Sequence, residues 1–343
     1  MATVDAGTLE DTARAMVAPG KGILAMDESA PTCAKRFAGI GVESTEENRR
    51  AYREMLITTP GVSEYVSGAI LFDETIRQKA SDGKQFVDVL NAKGIIPGIK
   101  VDAGTKPLAG APGETVTEGL DRLAERLDEY REIGARFAKW RAVIRIGAGM
   151  PTSRCIEANA HALARYAAVV QDAGLVPIVE PEVLMDGDHD IHRCQDVTEE
   201  VLHTVFGELR SQRCLLEGIV LKPSMVIPGE GCLVQADARE IAKLTLETLR
   251  RCVPAAVPGI AFLSGGQTGE EASANLNAMN CGGSQPWEIT YSFGRALQYP
   301  AIEIWRGDAA NVQAAQAAFL HRSRMTSLAR AGAYSADLEQ ALA

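Results

Sequence analysis

The sequence contains no apolar run near the length needed to cross a bilayer. Its first residues, MATVDAGTLEDTARAM, lack both the charged-then-apolar pattern of a signal peptide and the composition of a transit peptide. It also lacks basic runs, and the formal net charge is -10. These absences argue against a membrane protein and against a nucleic-acid-binding protein.

Paired cysteines are missing as well. The chain has 7 cysteines, an odd number, and none of them forms a C-x-x-C pair. This usage is typical of a reducing compartment, where thiols act as ordinary packing residues. We therefore expect a cytoplasmic globular protein.

What the sequence does contain is a repeated alternation of strand-like and helix-like segments. Eight short apolar runs begin 29 to 43 residues apart, by subtraction of their first positions. They are GILAMDES from Gly22, YVSGAILF from Tyr65, IIPGIKVD from Ile95, ARFAKWRAV from Ala135, LVPIVEPEV from Leu175, GIVLKPSMV from Gly218, GIAFLSGG from Gly259 and EITYSFG from Glu288.

Helical patterns fill the intervals. One runs from about Ser153 to Asp172 and stops at Gly174, and Gly134 can end the helix before it. Further helix starts are predicted where Ser, Thr or Asp precedes Glu by three residues: Ser44/Glu47, Thr115/Glu118, Asp196/Glu199, Asp237/Glu240 and Thr268/Glu271.

Eight such units without an obvious linker predict the α/β class and a single (β/α)8 TIM barrel over residues 1–343. We expect the last residues, from about 333, to form a loosely held tail. The alternative is an open doubly wound sheet. That fold predicts a glycine-rich phosphate turn after the first strand, and AMDESAPT at 25–32 is not one.

Polar residues in these runs recur with the period of two that places side chains on one face of a strand. The pairs are Asp27/Ser29, Lys100/Asp102, Lys139/Arg141, Glu180/Glu182 and Lys222/Ser224. A single lysine in a strand is more often exposed on an edge or held in a salt bridge. Five strands in phase, in a barrel that has no edge, instead predict a charged pocket at the carboxyl ends of the strands.

The most informative member is Lys222. An amine among apolar groups and other cations is favoured in its neutral form, which attacks carbonyl groups. Schiff-base formation then needs a carboxyl group to move protons while the carbinolamine loses water. Glu180 and Glu182, on the preceding strand, can supply it.

The last two strands end in SGGQ at 264–267 and FGRALQ at 293–298. Barrels often bind phosphate between these two loops, since glycines let backbone N–H groups approach an anion. Arg295 can add a bidentate contact. A phosphorylated carbonyl compound is the substrate class that both features predict.

A metal site is the competing hypothesis. With five histidines in the chain, only DGDHDIH at 186–192 has a metal-like pattern, and a polar loop leading into a helix is the simpler interpretation. We therefore predict no metal.

Several motifs together resemble class I fructose-1,6-bisphosphate aldolase, in order, from about Leu9 to about Tyr334. They are GKGILAMDES, ENRRAYREML, LFDETIRQKASDG, GIKVDAG, FAKWRAV, PIVEPEVLMDGDHD, LKPSMV, FLSGGQ, EEASANLNAMN and SFGRALQ. The resemblance implies cleavage of fructose 1,6-bisphosphate to dihydroxyacetone phosphate and glyceraldehyde 3-phosphate, and the reverse condensation, without metal or cofactor.

The resemblance also implies residue roles. Lys222 forms the Schiff base, Glu180 is its general acid/base, and Glu182 supports the charge network. Asp27 handles the hydroxyl proton during carbon–carbon cleavage, while Lys139 and Arg141 stabilise charge and hold substrate. Phosphate binding is implied at one end by Ser264, Gly265, Gly294 and Arg295, and toward the other end by Ser29, Arg36 and Lys100.

The chain departs from the family pattern in three places. It ends in ALA, whereas the best-known members end in a tyrosine that moves protons on the enamine intermediate; its last tyrosine is Tyr334. Pro31 and Thr32 stand where Gly and Ser are more frequent, and Phe293 replaces a frequent Tyr.

The family expectation for assembly is a homo-oligomer, a tetramer, with no nucleic-acid or membrane partner. Two other functions stay open: a Schiff-base aldolase that prefers another sugar phosphate, such as sedoheptulose 1,7-bisphosphate, and a non-catalytic barrel scaffold.

Overall fold

Eight parallel strands form the centre of the computed structural model, which describes residues 6–342. They neighbour one another in chain order: β1 (Gly22–Met26), β2 (Val66–Leu71), β3 (Ile96–Lys100), β6 (Phe137–Ile144), β7 (Val176–Val183), β8 (Val220–Leu221), β9 (Gly259–Phe262) and β10 (Glu288–Tyr291). The two strands numbered between β3 and β6, β4 (Thr105–Pro107) and β5 (Thr115–Thr117), form a separate antiparallel hairpin.

The first and last strands of the large sheet also meet. The N–H of Ala25 donates to the carbonyl oxygen of Phe293 at 3.0 Å, and Thr290 Oγ1 donates to the carbonyl oxygen of Lys21 at 2.7 Å. The predicted (β/α)8 barrel is therefore confirmed, and the open doubly wound sheet is wrong.

Helices alternate with the strands. Their bounds are α1 (Ala6–Met16), α2 (Ala30–Ala38), α3 (Glu46–Thr58), α4 (Asp73–Ile76), α5 (Phe86–Ala92), α6 (Leu123–Ile133), α7 (Ser153–Asp172), α8 (Ile191–Ser211), α9 (Ala238–Cys252), α10 (Gly269–Asn280), α11 (Arg295–Trp305) and α12 (Val312–Arg330). No helix among residues 6–342 combines the length and apolar character that membrane crossing requires.

The barrel strands alternate between two apolar layers. On β7, Val179 and Val183 pack in the layer between strands and helices, whereas Val176 and Ile178 pack inside the barrel with residues of α1. Glu180 continues the inward series, because side chains two apart share a face. The inward face is thus apolar near the start of the strand and charged near its end.

The barrel interior is filled tightly enough to require a glycine. The ring of Phe137 lies against Gly98 of β3, and a Cβ built at Gly98 would lie 2.2 Å from that ring. Phe137 therefore fills the space below Lys139, the next inward residue of β6.

Two predicted helix starts are confirmed. The side chain of Asp237 accepts from the N–H of Glu240, and Thr268 forms a complete capping box with Glu271.

Three predicted starts are wrong. Thr45 rather than Ser44 caps α3, Asp190 rather than Asp196 caps α8, and Thr115 belongs to β5. A Ser, Thr or Asp three positions before a Glu also occurs by chance. The true cap is the residue with an extended backbone whose oxygen reaches the N–H three positions on.

The tail differs from the sequence expectation. Its Glu339 pairs with Arg322 at 2.6 Å and accepts from the Tyr334 hydroxyl at 2.8 Å, and Leu338 packs against the core. The segment is held because Arg322, only 2% exposed, needs a partner for its charge.

Candidate active site

A cavity of about 780 Å³ opens at the carboxyl ends of the barrel strands. Every residue that the sequence singles out as catalytic or substrate-binding lines it. These are Asp27, Ser29, Arg36, Lys100, Lys139, Arg141, Glu180, Glu182, Lys222, Ser264, Gly265, Gly294 and Arg295. The strands bring them together because all of them except β2 contribute inward side chains, or the loop after the strand, to the same end.

The centre of the cavity is a chain of alternating charges. Lys222 Nζ lies 3.2 Å from Glu180 Oε1, and Lys139 Nζ lies 3.1 Å from Glu180 Oε2. Lys139 also contacts Asp27 Oδ2 at 2.7 Å. The two lysines and Glu180 are buried. Glu180 is thus shared by two ammonium groups, one of which is shared again with Asp27.

These contacts separate the roles that the groups can take. Burial alone would raise the pKa values of Asp27 and Glu180, but the charges of Lys139 and Lys222 outweigh burial and hold both below their usual range. Burial would lower the pKa of Lys139, but Asp27 and Glu180 raise it instead. At neutral pH Lys139 is therefore a fixed cation, and Asp27 is an ionised carboxylate able to accept a proton.

A second group of charges surrounds the centre. Glu182 accepts a hydrogen bond from Nε of Arg141, and Lys100 Nζ lies 2.9 Å from Asp102 Oδ1. Asp102 Oδ2 accepts from the backbone N–H of Arg141 at 3.3 Å. Arg141 is therefore held by a carboxylate of the neighbouring strand β7, and Lys100 by a carboxylate two residues further along its own chain segment.

One end of the cavity has backbone and charge features that suit an anion. Gly265 and Gly266 take positive φ values of 46° and 90°, which glycine adopts without strain. A Cβ built at Gly266 would lie 3.6 Å from Nη2 of Arg295, so Arg295 leans across from α11 to this loop. Gly294 stands at the N-terminus of α11, where backbone N–H groups lack intrahelical partners.

The other end carries hydroxyl groups. Ser29 Oγ lies 3.1 Å from Thr32 Oγ1, and Thr32 also lines the cavity. The replacement of a serine by threonine at this position therefore keeps a hydroxyl beside Ser29.

Arg36 differs from the expected arrangement. We expected it near Ser29 and Lys100, but a Cβ built at Gly294 would lie 3.7 Å from its Nη2. The reason is closure of the barrel: α2 follows β1, which meets β10 directly before Gly294.

Several lining residues were not identified from the sequence. Glu28, which breaks the period of two, binds Arg36 instead of facing solvent. Gln298 and Tyr52 lie on helices with no strand period to mark them, and Gly104 and Thr105 come from the unpredicted hairpin. Glu28, Tyr52, Gly104 and Gln298 do lie in motifs that carry the family resemblance, GKGILAMDES, ENRRAYREML, GIKVDAG and SFGRALQ, whereas Thr105 does not.

The DGDHDIH loop forms no metal centre with neighbouring side chains. Asp190 accepts from the N–H of Arg193 and caps α8. Within residues 6–342, no three His, Cys, Asp or Glu side chains are grouped to hold a metal ion.

The remaining departures lie away from the cavity lining. Phe293 is fully buried with its ring 5.6 Å from that of Tyr291. Tyr334 bonds to Glu339 and does not line the cavity.

This fold and site define a class of α/β-barrel enzymes. In this class a buried lysine shares a carboxylate with a second lysine, beside a loop that suits an anion. Comparison with known proteins specifies the class further. The family model for fructose-bisphosphate aldolase class-I matches residues 8–343. The probable fructose-bisphosphate aldolase class 1 of Xanthomonas campestris pv. campestris is 59% identical over 325 residues, which cover 94% of this chain and 97% of that protein.

Two further proteins agree. Fructose-bisphosphate aldolase 4, cytosolic, of Arabidopsis thaliana is 54% identical over 322 residues, covering 94% of this chain and 82% of that protein. The structure of fructose-bisphosphate aldolase from Plasmodium falciparum, in complex with TRAP and a small molecule inhibitor, matches with a TM-score of 0.96. It is 49% identical, covering 98% of this chain and 97% of that one.

The chain belongs to the class I fructose-bisphosphate aldolase family. Its activity is that of a lyase, and the Schiff-base mechanism follows from membership of class I.

Proposed function

We propose that Lys222 is the amine that forms the Schiff base and that Glu180 moves the protons of that step. The observation that carries this assignment is the 3.2 Å contact between Lys222 Nζ and Glu180 Oε1, with Lys139 on the other oxygen of the same carboxylate. Of the two buried lysines, Lys139 is held as a cation by two carboxylates, whereas Lys222 contacts one. Lys222 is therefore the better nucleophile.

The reaction then uses the neighbouring groups in turn. Ionised Glu180 takes a proton from the ammonium form of Lys222, the resulting neutral amine adds to the C2 carbonyl of fructose 1,6-bisphosphate, and Glu180 returns the proton to the departing hydroxyl as the carbinolamine loses water. Asp27, ionised at neutral pH, accepts the proton of the C4 hydroxyl. The C3–C4 electron pair moves to the iminium nitrogen, which releases the aldehyde and leaves an enamine. Protonation at C3 and hydrolysis release dihydroxyacetone phosphate and the free amine.

Lys139 and Arg141 complete this set by electrostatics. Lys139 lies 2.7 Å from Asp27 and stabilises its charge, and Glu182 holds Arg141 toward the cavity. Since Tyr334 lies outside the cavity lining, another group or water protonates the enamine.

The substrate proposal rests on two polar ends of one cavity. Ser264, Gly265, Gly294 and Arg295 bind one phosphate, and Ser29 and Lys100 lie toward the second. We propose fructose 1,6-bisphosphate as the preferred substrate. Sedoheptulose 1,7-bisphosphate offers the same reacting atoms with one more carbon, so the ratio of kcat/KM for the two compounds decides between them. A higher value for sedoheptulose 1,7-bisphosphate contradicts the proposed preference.

The nucleophile is tested by trapping. Sodium borohydride with dihydroxyacetone phosphate should fix a covalent adduct on Lys222, located by peptide mapping, and a chelator should leave turnover unchanged. An adduct on Lys139, or loss of activity with the chelator, contradicts the assignment. Lys222→Met should remove the adduct and nearly all turnover. Turnover of the unmodified protein, on the order of 1 per second or more, excludes a purely scaffolding role.

We further propose a cytoplasmic homo-oligomer, a tetramer, whose subunits each fold as one unit. The cytosolic relative and the unpaired cysteines support this location, and family membership supports the assembly. Sedimentation of the purified protein measures the assembly, and a monomer would contradict it.

A further inference from the structure

A buried amide lies beside the cavity where the first and last strands meet. Gln298, on α11, is 1% exposed. Its Nε2 donates to the carbonyl oxygen of Ala25 at 2.5 Å, and its Oε1 accepts from the Tyr52 hydroxyl at 2.6 Å and from Arg36 Nη1 at 2.9 Å. Because a phenol and a guanidinium need an acceptor while a carbonyl needs a donor, these partners determine the orientation of the amide.

Tyr52 is a rigid partner for this amide. Its side chain is fully buried, with the ring 5.6 Å from that of Phe37 in an edge-on arrangement and 5.6 Å from that of Trp305. A buried phenol is generally placed where its hydroxyl finds a partner, and here that partner is Gln298. Packing of the ring therefore fixes where Oε1 of Gln298 lies.

Arg36 is held through one nitrogen only. Its Nη1 binds the carboxylate of Glu28 and Oε1 of Gln298. Within the part of the chain that the structure describes, Nη2 of Arg36 makes no side-chain hydrogen bond. It lies 3.7 Å from where a Cβ of Gly294 would be. The free side of the guanidinium thus faces the N-terminus of α11.

We propose that Gln298 is a positioning residue for substrate binding, holding Arg36 so that Nη2 adds a charged donor to the anion subsite at Gly294 and Arg295. The carboxylate of Glu28 neutralises Arg36 but leaves the guanidinium plane free to turn. Oε1 of Gln298, the second acceptor on the same Nη1, fixes that plane and so sets the direction of Nη2. Gln298 also bonds to Ala25, whose N–H closes the barrel, so Arg36 is placed relative to the strand that leads to Asp27. This inference rests on the proposed function of the site.

The test is Gln298→Leu, measured by steady-state kinetics with fructose 1,6-bisphosphate and by competitive inhibition with inorganic phosphate. We expect KM and the inhibition constant of phosphate to rise about tenfold, the equivalent of one misplaced charge-assisted contact, while kcat falls much less. An unchanged inhibition constant, or a loss confined to kcat, overturns the proposal.

A double-mutant cycle with Arg36→Ala shows whether Gln298 acts through Arg36. The double variant should have the same phosphate inhibition constant as Arg36→Ala alone, since Gln298 then has nothing to position. Additive effects overturn the proposal.

Tyr52→Phe removes one hydroxyl only, so it provides a folded variant even where Gln298→Leu does not fold. We expect a smaller rise of the same constant, and no rise overturns the proposal.

Gln171→Leu is the matched control. Gln171 is also a buried glutamine with three hydrogen bonds, to Leu215 N, Leu215 O and Gly218 O, but it lies at the end of α7, against the segment before β8, rather than at the cavity. It should lower the thermal midpoint without changing phosphate inhibition. If the inhibition constant of phosphate rises as much in Gln171→Leu as in Gln298→Leu, the effect is a general loss of stability, and the proposal is overturned. Borohydride trapping keeps the two proposals separate, because an intact Lys222 adduct with unaltered phosphate inhibition in Gln298→Leu contradicts the positioning role alone.

Discussion

Lys139→Met removes the central cation of the charge network while keeping a side chain of similar length. The variant loses contacts of 2.7 Å to Asp27 and 3.1 Å to Glu180. Lys139 and Glu180 are each 3% exposed, so water cannot replace the lost charge. Lys222 then becomes the nearest cation to both carboxylates.

The expected loss of stability follows from this burial. Removing one partner of a buried ion pair costs about 3–5 kcal/mol, because the other charge is left uncompensated. The substitution also removes the free-energy cost of burying the ammonium group, and this gain offsets part of the lost attraction. We therefore expect the free energy of unfolding to fall by about 3–5 kcal/mol rather than by the sum of two contacts.

The pH dependence provides the sharper measurement. In the unmodified protein the pKa values of Asp27 and Glu180 are lower in the folded state, so these groups stabilise it above their unfolded pKa values of about 4. That contribution is lost as the pH falls through the lower folded values. In Lys139→Met burial outweighs the remaining cation, and we expect at least one of the two pKa values to exceed its unfolded value. Unfolding free energy should then increase as the pH falls from about 7 to about 5.

Urea unfolding at fixed protein concentration and several pH values measures both effects. Lys100→Met is the control, since Lys100 is more exposed, at 17% of its side chain, and has one carboxylate contact, at 2.9 Å. It should lose about 1 kcal/mol and keep the pH dependence of the unmodified protein. A loss below about 1 kcal/mol in Lys139→Met, or stability that falls on acidification from pH 7 to 5, refutes the reasoning.

Three further changes have defined outcomes. Glu180→Gln should lower kcat by a factor of about 10²–10⁴ with a small change in KM, since it removes proton transfer beside Lys222. A kcat equal to that of the unmodified protein contradicts the role of Glu180. Gly98→Ala should destabilise the barrel by about 1–3 kcal/mol or more in thermal unfolding, because its Cβ overlaps the Phe137 ring, and an unchanged midpoint contradicts that packing. Glu339→Ala should cost about 1–3 kcal/mol, because Arg322 then keeps only the hydroxyl of Ser273 and the more distant carboxylate of Glu270 among the described residues, yet kcat should not change; a large fall in kcat contradicts the position of the tail outside the cavity.

The barrel and the central charges of its cavity could be predicted from the sequence because their signals are local. A strand repeats its faces every two residues, so Lys139 and Arg141, or Glu180 and Glu182, share a face in any fold that uses those strands. Apolar runs at regular spacing, separated by helices, have few packing solutions. A closed sheet has no edge strand, so Lys222 in such a run cannot lie on an exposed edge.

Other features depend on contacts between residues far apart in the chain. The capping pattern at Ser44, Thr115 and Asp196 fits a helix start, but tertiary packing placed the starts of the neighbouring helices elsewhere. The sequence of the tail, AYSADLEQALA, carries no sign that Glu339 meets a buried arginine. These outcomes depend on which surfaces meet, and a spacing rule contains no such information.

The sequence by itself therefore determined the kind of chemistry, a lysine with carboxylates on neighbouring strands and an anion loop after the last two. Only the tertiary structure decided how the charges divide: Glu180 between two lysines, Lys139 between two carboxylates, and Arg36 bonded to Gln298 beside Gly294. The physical reason is that the type and face of a side chain follow from local backbone geometry. Its partner depends on barrel closure, which brings residues 25 and 298 within hydrogen-bond distance.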